Sequence, residues 1–70
     1  MTYAELYETV KAKIASRQAV TTIFIQMRYH TLQSDARRCV RQLQDEGLIG
    51  REWDMSLGGY PVLAKEETTL

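Results

Sequence analysis

The chain has little of what would place it quickly: one cysteine, one histidine and one proline among 70 residues, and no surplus of charge of either sign. A single cysteine, Cys39, excludes a disulfide framework within the chain. Cys39 and His30 alone cannot assemble a zinc site, so neither metal nor cofactor is expected. This cysteine usage fits a reducing, cytoplasmic setting. Nine basic residues against nine acidic ones leave a net charge of zero. The strongly basic balance that makes nucleic acid a default partner is therefore missing, and any such reading rests on where the cations sit. No apolar run approaches the ~18 residues of a membrane span. The first residues, MTYAELYETVK, are acidic and amphipathic, unlike a signal peptide. There is no GxxxxGK[ST] phosphate loop, internal repeat or low-complexity linker.

What is present is an ordinary globular composition, 44% hydrophobic and 26% charged. A chain this short makes one domain and buries only roughly 60% of its unfolded surface, so each apolar stripe matters. Residues 1–65 read as that domain and 66–70 as a polar tail. The chain reads either as a complete small protein or as a domain of a larger one.

The clearest element covers residues 31–49. Leu32, Ala36, Cys39, Val40 and Leu43 share one face of a helix, and Ser34, Arg37, Arg38 and Arg41 share the other. Thr31 is expected to cap its start. Gly47 stands where a left-handed residue closes a helix, and Leu48 where the accompanying hydrophobe belongs. Asp35 suits the positive end of the helix dipole, while Asp45 and Glu46 oppose the negative end. A first helix is predicted over 2–14, opened by a Thr2/Glu5 capping box. Its stripe is Tyr3, Leu6, Tyr7, Val10 and Ile14, with Glu8 and Lys11 placed to pair. Between the two helices, residues 20–29 are ambiguous. The reading adopted is a short extended piece at Ala19 and Val20, a cap at Thr21 or Thr22, and a helix to Tyr29. Ile23, Phe24 and Met27 would face the core. A strand over 20–25 is the alternative, on β-branched propensity. Residues 48–53 and 60–64 read as a hairpin around a loop with Asp54, Ser56, Gly58 and Gly59. Pro61 should make the second strand an edge. This order predicts a mainly α fold with a small β-hairpin (α+β), a three-helix winged helix-turn-helix.

The run from Val20 to Gly50 resembles the C-terminal gamma domain of FtsK-type DNA translocases, a small winged helix that reads the sequences orienting chromosome translocation. The resemblance lies in a Thr-led second helix with Gln26 and Arg28, then Ala36 and Arg38, then Leu43 and Glu46-Gly47-Leu48-Ile49-Gly50. Where the family enters its recognition helix with Ile-Gly-Tyr-Asn-Arg, this chain has Thr31, Leu32, Gln33, Ser34 and Asp35. An acidic residue thus replaces a basic one.

Such a fold implies double-stranded DNA as a partner, with the third helix in the major groove. Gln33 and Ser34 would reach base edges, and Arg37 or Arg38 would take a guanine bidentately. Arg28, Arg41 and the hydroxyls of Thr21 and Thr22 would meet phosphates, which position rather than specify. Arg51 and the loop from Ser56 to Gly59 would form the wing. The plainer reading is a solvated helix face whose arginines pair with Asp35 and Asp45. Trp53 and Tyr60 are expected to pair across the hairpin over the core; the alternative makes them anchors for a protein partner. Cys39 reads as a small buried hydrophobe. His30 reads as a polar turn residue, with a phosphate contact as the alternative. No catalytic constellation is found, so no enzyme is expected. Two functions remain open: a DNA-binding module, regulator or DNA-orienting domain, and a winged-helix protein-interaction module that does not bind DNA. A phage- or plasmid-encoded protein engaging a host machine would be an example of the second. Monomer and homodimer are both compatible.

Overall fold

The computed structural model describes residues 2–63. The expected tail at 66–70, and Ala64 at the end of the second hairpin strand, lie outside the described residues. The elements are α1 (Tyr3–Ile14), β1 (Ala19–Val20), α2 (Thr22–Tyr29), α3 (Gln33–Asp45) and β2 (Tyr60–Pro61). The fold is three helices with a small antiparallel sheet, mainly helical and winged-helix-like.

Thr2 caps α1 as expected. Its hydroxyl accepts the Glu5 N–H at 3.2 Å, and Glu5 Oε1 accepts the Thr2 N–H at 2.8 Å. Leu6, Tyr7, Val10 and Ile14 are buried. Lys11 pairs across to Glu46, the residue that follows α3, at 3.5 Å, not with Glu8, because the tertiary partner lies within reach of the same ammonium.

The segment after β1 is helical, which removes the strand alternative. Thr21 Oγ1 accepts the Phe24 N–H at 2.9 Å and starts α2. Its buried face differs from the expected one. Ile25 is fully buried and Phe24 packs partly on the core, but Ile23 and Met27 are 66% and 71% exposed. With apolar residues at 23, 24, 25 and 27, periodicity could not choose a stripe. Packing chose Ile25 with Tyr29, one turn on.

The turn into α3 also differs. His30 adopts the left-handed conformation (φ 53°), and Thr31 N–H donates to Gln26 O at 3.2 Å. The chain then needs Leu32, extended, as the N-cap residue, with no side-chain cap. Thr31 therefore does not cap α3. Leu32 lies outside the first helical turn and is 70% exposed, so its spacing from Ala36 does not place it on the buried face. Ala36, Cys39, Val40 and Leu43 are buried as expected. The far end closes as a Schellman motif. Gly47 (φ 75°) donates to Gln44 O at 3.0 Å and Leu48 to Leu43 O at 2.9 Å.

β2 pairs with β1, Ala19 opposite Pro61 and Val20 opposite Tyr60. On its other side the hairpin is reduced to bridges, Ile49 with Val62 and Asp54 with Gly59. Pro61 is thus flanked on both sides rather than lying at an edge. The geometry tolerates it in two ways. Gly50 N–H donates to Pro61 O at 2.8 Å. The return bond, which Pro61 cannot make, is replaced by Gln44 Nε2 donating to Gly50 O at 3.2 Å. A side chain on Gly50 would bring its Cβ to 2.8 Å from Pro61 Cγ, so the close approach requires glycine.

The core unites the four buried residues of α1, the four of α3, Ile25 of α2, Val20 of β1, Ile49 and Val62. Cys39 is among them, and burial raises its thiol pKa.

Candidate nucleic-acid interface

The buried stripe of α3 fixes what the helix shows to solvent. At about 100° per residue, Ser34, Arg38, Arg41 and Asp45 stand opposite the core, with Gln33 and Arg37 on one flank and Gln42 on the other. Gln33, Ser34, Arg37, Arg38 and Arg41 are all exposed. Ser34, the three arginines, Gln42 and Asp45 line an open, shallow groove of about 540 Å³. α2 packs against α3.

Among the described residues, the arginines of this face are not neutralised by neighbouring carboxylates. The ion pairs among the described residues are Lys11–Glu46 and Arg51–Asp45, the latter at 3.0 Å. No carboxylate oxygen therefore lies within 4 Å of Arg37, Arg38 or Arg41 among those residues. Asp35 does not enter the arginine groove. It lines a separate cleft of about 240 Å³ with Tyr3, Tyr29, His30 and Leu32.

Arg38 is held by an aromatic surface, its guanidinium carbon 3.9 Å from the Tyr3 ring centroid. Tyr3 is itself fixed, donating its hydroxyl to Gln42 Oε1 at 2.7 Å. Burial, and secondly Cys39, push the Tyr3 pKa up to about 12. Gln42 then donates to Glu46 Oε2 at 3.1 Å. This chain of contacts was not apparent from spacing, except that Gln42 and Glu46 stand one helical turn apart.

The other expected contact residues are dispersed around α3. Thr21 spends its hydroxyl as an acceptor on the α2 cap, and Thr22 is the first residue of α2, half-buried. Arg28 is exposed on the last turn of α2, 5.6 Å from the Tyr29 ring centroid. Arg51, at the start of the wing, is paired with Asp45 at 3.0 Å, with both side chains exposed. Trp53 and Tyr60 meet edge to face across the hairpin, centroids 5.5 Å apart and planes at 80°. Tyr60 packs on the core, whereas Trp53 is half exposed. The sequence reading missed Met55 and Leu57, which stand out on the wing tip. An apolar pair inside a turn-rich loop was the available signal.

Among the described residues no three His, Cys, Asp or Glu side chains come together as a metal site requires. No described helix is long and apolar enough to cross a membrane. No family model, curated protein or solved structure matches the chain.

Proposed function

We propose that the chain is a DNA-binding winged-helix module, not an enzyme, that lays the exposed face of α3 into the major groove and serves as a small regulator or DNA-orienting domain. One observation carries this reading: among the described residues, three arginines share the solvent face of α3 without carboxylate partners, while the helix's own acidic residues are diverted. Asp45 is taken by Arg51, and Asp35 faces another cleft. In this arrangement Gln33 and Ser34, at the N-terminal end of α3, read base edges, and Arg38, pre-oriented on Tyr3, takes a guanine. Arg37, Arg41, Arg28 and Thr22 meet phosphates. The neutral total makes affinity modest and salt-sensitive.

Amide chemical shifts on adding a random duplex test the placement. Shifts concentrated on Gln33–Arg41 and on Thr21 and Thr22 fit the proposal. Shifts confined to the hairpin, or none at tens of micromolar duplex, contradict it. The second reading, a protein-interaction module, is favoured by one specific feature, the half-exposed Trp53 beside an exposed apolar wing tip.

A further inference from the structure

Apolar side chains that the core leaves out gather on the wing. Met55 is 86% exposed, Trp53 50% and Leu57 39%, within five residues of one another. The tip that carries them is tied rather than loose. Asp54 N–H donates to Gly59 O at 2.9 Å and Gly58 N–H to Asp54 O at 2.8 Å. Asp54 Oδ1 accepts the Ser56 N–H at 2.9 Å, the Ser56 hydroxyl at 2.7 Å and the Leu57 N–H at 3.2 Å. Those bonds, the Ser56 side chain first, hold the Asp54 pKa below its ordinary value, so it stays anionic. Trp53 is braced by the Tyr60 ring. A tip already ordered loses little conformational freedom when it docks.

Within residues 52–59 the charge has one sign. Glu52 and Asp54 flank Trp53, and the neighbouring cation, Arg51, is occupied by Asp45. Phosphate would be repelled here, and a cationic partner attracted.

We propose that Trp53, Met55 and Leu57, rimmed by Glu52 and Asp54, form a docking surface for an apolar, lysine- or arginine-rich segment of a protein partner. The proposal deepens the protein-interaction reading and stands apart from whether α3 meets DNA. Trp and Met supply the anchors, side chains enriched at interface cores. The carboxylates supply selectivity and steering.

The chain has one tryptophan, so its emission reports on this site alone. The full chain is titrated with a synthetic peptide of alternating leucine and lysine. The proposal predicts a saturable blue shift of Trp53 emission, with a leucine–glutamate peptide of equal length binding at least about tenfold more weakly. Met55→Ser with Leu57→Ser should weaken the leucine–lysine peptide by about fivefold or more, at exposed positions where the thermal midpoint is kept. Glu52→Lys should weaken it in the same direction. Equal binding of the two peptides, no shift with either, or unchanged binding by these variants overturns the proposal. A blue shift that grows with protein concentration alone would make the occupant a second copy, and a shift on adding duplex DNA would make it the minor groove. Either result also overturns it. Replacing Arg37, Arg38 and Arg41 by alanine should leave the peptide titration unchanged, so failure of the DNA reading is read separately.

Discussion

Tyr7 shows most clearly how single residues depart from an ideal core. Its ring is buried in the α1 stripe, yet its hydroxyl is buried with no hydrogen-bond partner among the described residues. Burial, and then the nearby Glu46 carboxylate, push its pKa up. An unpaired buried hydroxyl opposes folding, so Tyr7→Phe is predicted to leave stability unchanged or raise it by up to ~1 kcal/mol, read by denaturant unfolding. A loss of more than ~1 kcal/mol would show that the hydroxyl is paired in solution. Three carboxylates shift the opposite way. Glu5 is lowered by the Thr2 N–H, Glu46 by the Gln42 side-chain amide, and Asp54 by the Ser56 side chain. Groups lowered on folding contribute stability that is fully present above their unfolded values, 4.5 for glutamate and 3.8 for aspartate. That stability is lost as pH falls through the lower folded values. Thermal midpoints should therefore hold level from neutrality down to about pH 5 and fall below about pH 4. A midpoint rising on acidification in that window would contradict these assignments.

Between elements, the most specific join is the one around Pro61. Gln44 of α3 supplies to Gly50 O the hydrogen bond that a proline cannot. Gln44→Ala should cost about 1 kcal/mol by orphaning that carbonyl. In the Gln44→Ala background, Pro61→Ala should recover part of the loss by restoring a ladder N–H, whereas no recovery would mean that Gln44 acts by packing alone. Neither partner could be found from spacing, because the bond joins a helix to the hairpin. Elements set by local chemistry were legible. The capping box of α1, the Gly47 closure and the Ala36, Cys39, Val40 and Leu43 stripe appear as expected. Elements set by choices among equals were not. In α2 four apolar residues competed for one seat. At the start of α3, the left-handed turn at His30 moved the cap from Thr31 to Leu32. For the candidate site, the arginine face followed directly from the α3 stripe. The diversion of Asp35 and Asp45, the Tyr3–Arg38 stack and the apolar wing tip depend on tertiary neighbours.

At the scale of the whole molecule, a net charge of zero conceals a separation. Among the described residues, cations without carboxylate partners lie on the face of α3, and carboxylates flank an apolar tip on the wing. Our proposal is that a neutral chain arranged this way binds polyanions through a patch rather than through its total charge. It is tested most directly by fluorescence anisotropy of a labelled random duplex, titrated with the wild-type chain and with the Arg37, Arg38 and Arg41 triple alanine variant. Three phosphate contacts give a salt slope of about −2.7, so a fourfold rise in salt should weaken wild-type binding about 40-fold. The folded triple variant should lose most of that binding and most of that slope. Wild-type affinity retained by the triple variant, or binding insensitive to salt, would contradict the claim.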